Sequence, residues 1–441
     1  MPQNFDPIFS LNGFDGQQVP FFGLTFDKEG VCTSPQSRTA VVERIRTGGF
    51  TDVIFYSHGW NNDWSDATDL YAAFLGRLGQ MASRPNANLP AGIKPLMLGI
   101  SWPSAAFVWP WENGPDLAAL PGAHWKPSTP DLEILAEDLA EPDTRWMKDL
   151  AAADASVNAT DMARIAGLLA QQFSVADPDE PAPADGFDAD DLAALFSAPE
   201  LRDRNESGTG SFDPAHAIDP VADGPQMAGG LVSGLFGVRK LLRLATVLKM
   251  KDRAGVVGRK GVADTVDLIL SRTDARLHLV GHSYGCKVLM TALCHGPPLR
   301  PAESALLLQP AVNLLAFAPH VLGRPGGFRK ALDRASKPIL VTQSDNDFPL
   351  RRIFHLAVRR KSDLGEPDLA SDANQWWAMG GYGPANLRQG ERYELHMPAQ
   401  NQPYPDFGAC RVVALDATGR IGGHSDVSND HTCWAMIQNL R

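Results

Sequence analysis

The amino-acid sequence predicts an α/β fold with a mostly parallel central sheet flanked by helices and a large helical or irregular cap insertion. Two observations carry this prediction. Short apolar runs alternate with helical stretches of roughly 10–15 residues, which is typical of parallel βαβ units. The alternation stops near residue 106 and resumes after about residue 229. The chain has 441 residues, of which 44% are apolar and 21% charged, so it can bury a large core.

Residues 1–105 contribute the first part of the predicted sheet. Apolar runs rich in β-branched or aromatic side chains and bounded by turn residues predict buried strands at residues 19–26, 51–57 and 94–101. Residues 38–46 follow Ser34-Pro35, which is a helix start signal, and residues 66–78 have helical spacing. This part of the chain therefore alternates strand and helix.

Residues 229–441 contribute the rest of the predicted core. A long helical stretch covers residues 238–271, and shorter helices are predicted at residues 286–295 and 432–440. Further buried strands are predicted at residues 275–280, 304–309, 338–343 and 411–416. The α/β pattern thus continues on the far side of the interruption.

The interruption, residues 106–228, is rich in Pro, Asp and Ala. Within it, residues 174–191 hold seven acidic residues, three prolines and no Lys or Arg, a composition typical of a solvated, mobile segment. Helices are plausible within residues 131–150 and 161–173. We interpret the block as a cap over the sheet.

Charge and cysteine content narrow the classes of partner. The net charge is −11 and no domain is strongly basic, so nucleic acid is not expected as a partner. The five cysteines are widely spaced and form no CxxC pairs, which favours a reducing compartment and no metal centre. The first residues lack the basic and apolar regions of a secretory signal. A cytoplasmic location is therefore the expectation.

The segment Gly281-His-Ser-Tyr-Gly285 matches the GxSxG pattern of a nucleophile elbow. It lies between a predicted strand and a predicted helix, which is the context that the motif requires. The two glycines allow the tight turn that raises the Ser283 hydroxyl above the strand end. The amide of Tyr284, at the helix start, then faces a developing oxyanion. An inert serine in an ordinary βα turn is the alternative.

Two further motifs follow predicted strands, Ser57-His-Gly-Trp-Asn-Asn62 and Ile100-Ser-Trp-Pro-Ser104. With the elbow, they make the sequence similar to the α/β-hydrolase superfamily, in particular to its bacterial esterase- and lipase-like members. The likeness covers residues 19–105 and 235–434. It implies a second oxyanion donor at the amide of Trp60 or Asn61, with His58 supporting the loop.

The resemblance also implies a triad in the chain order serine, acid, histidine. The acid is expected after the strand of residues 338–343, where Asp347 is favoured and Asp345 is the alternative. The histidine is expected after the last strand. There His424 follows a Gly-Gly pair, and its rival His431 belongs to the closing helix.

Aromatic residues near the predicted strand ends suggest an apolar acyl pocket, with Trp102, Trp109 and Trp377 as candidate substrate contacts. The resemblance then implies hydrolysis of small-to-medium apolar esters, a small-molecule substrate and no cofactor. A lipase or phospholipase acting at an interface, and a catalytically silent binding protein, are alternatives, and amide hydrolysis or acyl transfer stays open. Residues 235–250 carry scattered cations on an apolar stretch, so membrane contact is a less favoured alternative.

Overall fold

The computed structural model describes residues 6–14, 16–60, 62–104, 140–152, 249–297, 300–321, 323–354 and 377–441. It also describes residues 160, 161, 164, 167 and 168. The predicted cap, residues 106–228, lies almost wholly outside the described residues, and its acidic segment 174–191 lies entirely outside them. The cap and its boundaries therefore remain predictions.

The described residues form one nine-stranded sheet. In chain order the strands are β1 Phe9–Gly13, β2 Gln17–Thr25, β3 Asp52–Ser57, β4 Pro95–Ser101, β5 Arg276–His282, β6 Ser304–Leu308, β7 Ile339–Gln343, β8 Arg392–His396 and β9 Val412–Asp416. Their order across the sheet is β1-β2-β4-β3-β5-β6-β7-β9-β8. The pair β1–β2 is antiparallel, and every other neighbouring pair is parallel. The predicted α/β class with a mostly parallel sheet is confirmed.

The helices connect these strands and cover the sheet. They are α1 Pro35–Thr47, α2 Trp64–Ala82, α3 Glu141–Ala152, α4 Ala263–Arg272, α5 Tyr284–His295, α6 Met379–Tyr382 and α7 Asp430–Leu440. Shorter helical turns occupy Pro85–Ala87, Gly258–Val262, Arg329–Asp333 and Pro349–Ile353. Within the described segments, no helix combines the length and the apolar character needed to cross a membrane.

Both faces of the sheet are buried, as a parallel sheet requires. On β3, Val53 and Phe55 belong to the apolar core that α1, α4 and α5 cover. The alternate residues Ile54 and Tyr56 belong to the core under α2 and α7. This two-sided burial explains why the central strands are continuous apolar runs in the sequence.

The sequence predicts β2 to β7 and β9 but not β1 or β8. Both are edge strands with one neighbour each, and most of their residues are partly or fully exposed. A strand of this kind needs no continuous apolar run and often carries polar side chains. The apolar pattern that reveals the central strands is therefore missing from them.

A buried row of hydrogen bonds lies among the inner strands, away from their carboxyl ends. Asp52, the first residue of β3, has Oδ1 2.9 Å from Nε2 of His278, and Nδ1 of that ring lies 2.8 Å from Oγ of Ser304. All three residues are fully buried. Arg276 also contacts the carboxylate of Asp52. The row ties β3, β5 and β6 together.

Candidate active site

Ser283 occupies a tight turn between β5 and α5. Its backbone has φ 55° and ψ −124°, a strained conformation for a residue with a side chain. Its amide donates to the carbonyl of Leu308, at the end of neighbouring β6, over 3.1 Å. The sheet and the helix together hold Ser283 in this conformation, so its hydroxyl has a fixed position at the carboxyl end of the strands.

The glycines around the elbow are required by close backbone contacts. A Cβ on Gly285 would lie 2.1 Å from the carbonyl oxygen of Ser57. A Cβ on Gly59 would lie 2.7 Å from Cβ of Ser283. The elbow and the His-Gly loop after β3 are therefore packed directly against each other, which real side chains at these positions would prevent.

Three predicted residues from separate loops form one hydrogen-bonded chain. Oγ of Ser283 lies 2.9 Å from Nε2 of His424, and Nδ1 of His424 lies 2.7 Å from Oδ2 of Asp347. Because a carboxylate only accepts, Nδ1 carries a proton and Nε2 is free to accept from the serine. Asp347 is fully buried. The geometry is that of a serine nucleophile, its base and the acid that orients the base.

The rival residues are placed elsewhere. The Asp345 side chain is 67% exposed and its carboxylate pairs with Arg351. His431 is the second residue of α7, and its Nδ1 lies 3.4 Å from the carbonyl of Pro398. Of the alternatives that the sequence leaves open, the structure thus brings Asp347 and His424 to Ser283.

The loops that carry the acid and the histidine are tied to each other by side chains that sequence analysis does not single out. Oγ of Ser344 donates to the carbonyl of Ile421 over 3.1 Å, and Nδ2 of Asn346 donates to that of Thr418 over 2.7 Å. In the sequence, only the run of polar residues Ser344-Asp-Asn-Asp347 points to a role for this loop. Its polar residues serve the loop geometry, and only its last carboxylate reaches the histidine.

The His-Gly loop is supported from beneath. Nδ1 of His58 donates to the carbonyl of Gly59 over 2.8 Å, and its Nε2 accepts from the amide of Trp102 at 3.3 Å. The hydroxyl of Tyr71 accepts from the His58 amide and donates to the carbonyl of Ile100. Burial lowers the pKa of His58 to about 4, which keeps the ring neutral in this bracing role.

The position of Trp102 differs from the predicted one. The residue is 2% exposed, its ring stacks on His58 at 5.6 Å between centroids, and its indole nitrogen donates to the carbonyl of His58. In place of lining an acyl pocket, Trp102 holds the loop that carries Trp60. Ser104, from the same motif, donates to the carbonyl of Asn62.

The predicted oxyanion donors are described in part. Tyr284 begins α5 directly after Ser283, and Trp60 follows Gly59 in the loop packed on the elbow. Asn61 lies outside the described residues, as does Trp109. Because Gly59 packs against Ser283, Trp60 and Tyr284 each stand next in the chain to a residue of this contact.

His282 holds the histidine loop from the end of β5. Its Nε2 donates to the backbone carbonyl of His424 over 2.9 Å, and the two ring centroids are 5.0 Å apart. Burial, with the neighbouring His424 adding to it, lowers the pKa of His282 to about 3. A neutral ring therefore sits beside the triad and fixes the backbone of its histidine.

Buried histidines that stay neutral are expected to make the fold sensitive to acid. The folded pKa values of His58 and His282 lie below the unfolded value, so the unfolded chain binds more protons below about pH 6.5. The stability that the two neutral rings contribute is fully present above that pH and is lost progressively as the pH falls. Each histidine contributes a slope of about 1.4 kcal/mol per pH unit between about pH 6 and 4.

Urea unfolding of wild type and His282→Gln over this pH range measures the effect. The glutamine retains a donor near the Nε2 position but cannot take up the proton. Its free energy of unfolding should fall less steeply with acid, by the slope of one histidine. Equal slopes for the two proteins would contradict the prediction.

Trp377 lies in a small apolar cluster beside these loops. Its ring stacks on Tyr382 with 3.8 Å between centroids, and both pack against Leu314 and Leu315. The same segment approaches the elbow, because the amide of Ala311 donates to the carbonyl of Ser283 at 3.3 Å. Trp377 therefore packs against the segment that begins beside Ser283 at Ala311.

Metal ligands and disulfides were also sought among the described residues. There, no three His, Cys, Asp or Glu side chains are grouped as a metal ion would need. All five cysteines fall in this part of the chain, and each is a buried free thiol.

Comparison of the chain with models of known protein families, with curated proteins and with solved structures finds no match. The function of this chain is therefore inferred from the loops at the carboxyl ends of β3, β5, β7 and β9.

Proposed function

We propose that the protein is a serine hydrolase with an α/β-hydrolase fold, which cleaves carboxylic esters through an acyl-enzyme intermediate. The observation that carries the proposal is the hydrogen-bonded chain from Ser283 through His424 to buried Asp347, with Ser283 strained at a strand-to-helix turn. The three residues come from three separate loops. Polar side chains buried only for stability would not need to form this serine-to-histidine-to-carboxylate chain.

In the first half of the reaction, Oγ of Ser283 attacks the ester carbonyl carbon while Nε2 of His424 takes its proton. Asp347 keeps the imidazole in the tautomer that can accept, and stabilises the imidazolium that forms. The C–O bond to the leaving alcohol then breaks, and His424 returns the proton to that oxygen. The acyl group remains on Ser283.

The negative charge of the tetrahedral intermediate needs fixed donors. We propose the amide of Tyr284, at the start of α5, as one of these donors, and the amide of Trp60 or Asn61, which follow Gly59 in the sequence, as the other. The contact between Gly59 and the elbow supports the pairing of these two sources. Each donor should contribute roughly 3 kcal/mol to the transition state.

In the second half, a water molecule gives a proton to His424 and attacks the acyl carbon. The bond from that carbon to Oγ of Ser283 then breaks, and His424 gives the proton to Oγ as the acid leaves. We propose small-to-medium apolar acyl groups as the preferred substrates, received by the apolar cluster of Leu314, Leu315, Trp377 and Tyr382. An acyl group buried there gains about 0.8 kcal/mol per methylene, so chain length should affect binding.

Fluorophosphonate labelling of wild type and Ser283→Ala, followed by peptide mass mapping, tests the proposal. We expect an adduct on Ser283 in the wild type and none in the variant, whose fold circular dichroism would verify. A series of nitrophenyl esters and the matching anilides then defines the acyl length and the reactivity towards amides. Folded wild-type protein that neither reacts with the probe nor turns over any ester would refute the hydrolase proposal.

A further inference from the structure

Gln309 lies where the chain leaves β6, and its backbone is strained. It has φ 44°, in the left-handed region that residues with side chains rarely adopt, and it is fully buried. Its amide donates to Oγ1 of Thr342 over 2.8 Å, and its Oε1 accepts from the same hydroxyl at 3.0 Å. The residue is therefore clamped to β7 at both its backbone and its side chain.

The clamp aims the side-chain amide of Gln309 at the triad acid. Nε2 of Gln309 donates to Oδ2 of Asp347 over 2.9 Å, and that oxygen also accepts from His424. The amide of Leu350 donates to Oδ1 over 3.0 Å. Gln309 thus shares one carboxylate oxygen with the catalytic base.

A buried carboxylate with these neighbours depends on each donor. Removing a carboxylate from water is unfavourable unless hydrogen bonds replace the lost hydration. Among its described contacts, Asp347 has two neutral amide donors and the imidazole. The Gln309 amide consequently shares oxygen Oδ2 with His424, which would otherwise be the one described donor to that oxygen.

Resting on the hydrolase function proposed above, we infer that Gln309 is a positioning residue, whose carboxamide holds the triad carboxylate and moderates its pull on the proton of His424. The strained backbone supports this assignment because it directs the side chain across to the neighbouring strand. No motif in the sequence marks Gln309 for this role.

The physical consequence is a change in pH dependence. Without the donor, the full charge of Oδ2 faces Nδ1 of His424, and the pair holds its proton up to a higher pH. The protonated imidazole cannot accept from Ser283, so activity on the acid side should fall. Other titratable or charged groups around the pair stay in place in such a variant: His282, His58, Asp345 and Arg351.

Gln309→Met removes the carboxamide at nearly the same length. We expect the midpoint of the acid limb of kcat/KM to move up by about half to one pH unit. The plateau value should fall about tenfold through the lost hydrogen bond. The matched control is Gln343→Met, the same change at the end of β7. No described hydrogen bond joins the Gln343 side chain to Asp347, so its acid limb should not move.

Gln309→Glu tests the donor itself. The introduced carboxyl has the same shape but can donate to Asp347 only while it carries a proton. Its activity relative to wild type at the same pH should therefore be highest at low pH and fall as pH rises, the reverse of the methionine variant. If the methionine variant does not fold, the glutamate variant decides alone.

Two outcomes overturn the inference. One is an acid limb at the wild-type midpoint in folded Gln309→Met, which would mean that the side chain only supports the fold. The other is a pH profile of Gln309→Glu parallel to that of wild type. Failure of the hydrolase proposal is distinguishable, because wild type itself would then lack both labelling and ester turnover.

Discussion

Asp347→Asn is expected to lower kcat about 10⁴-fold while leaving the fold intact. The reason is the tautomer of His424. The carboxylate now accepts from Nδ1 at 2.7 Å and leaves Nε2 open towards Ser283. An asparagine can present its amide to Nδ1 as a donor, which moves the proton to Nε2 and removes the acceptor for the serine. Steady-state hydrolysis of a nitrophenyl ester measures the loss.

Asp345→Asn is the matched control, because it makes the same change two residues earlier on the same loop. Its carboxylate is exposed and pairs with Arg351. An exposed ion pair contributes about 1 kcal/mol or less to stability, so activity should stay within about twofold of wild type. A larger loss of activity for Asp345→Asn than for Asp347→Asn would contradict the assignment of Asp347 as the acid.

Gly285→Ala is expected to destabilise the protein by about 3 kcal/mol or more. The added Cβ would lie 2.1 Å from the carbonyl oxygen of Ser57 and 2.4 Å from that of His58. Both obstacles are backbone atoms at the end of a buried central strand, so neither can rotate away. Relief requires that α5 and β3 separate, which opens the core and displaces Ser283.

Urea unfolding of Gly285→Ala measures this effect against Gly419→Ala. A Cβ on Gly419 would meet no atom within 4 Å, and its backbone φ lies outside the left-handed region. The control should therefore unfold within about 0.5 kcal/mol of wild type. Equal stability of the two variants would mean that the elbow and the His-Gly loop are not packed as the structure has them.

The central strands and the nucleophile turn could be predicted because their signals are local. A strand buried on both faces is a continuous apolar run, as in β3, and an elbow needs glycines at fixed positions around Ser283. The edge strands β1 and β8 lack the first signal. The predicted cap, residues 106–228, has a composition unlike the core, and beyond α3 and a few positions up to residue 168 its structure stays a prediction.

Residue roles that depend on distant contacts could not be predicted in this way. Trp102 is an aromatic residue near a predicted strand end, as a pocket residue would be, but its ring stacks on His58 and supports the His-Gly loop. Gln309 has no motif at all, and only the pairing of β6 with β7 brings its amide to Asp347. Likewise, Asp345 and Asp347 are only two positions apart in the sequence, but the Asp345 side chain is 67% exposed and Asp347 is fully buried.

The sequence by itself determined the mostly parallel sheet and the serine at its tight turn, because these depend on periodicity and spacing, and the expected order of serine, acid and histidine came from the resemblance to a known superfamily. Tertiary structure decided which polar residues meet, and where. Asp52, His278 and Ser304 also form an Asp-His-Ser row of hydrogen bonds, but all three are fully buried among the strands. Ser283, His424 and Asp347 meet at the loop ends instead, where the His424 side chain keeps 16% exposure. A short list of residue types cannot distinguish the two rows, since access for a substrate is a property of the packed chain.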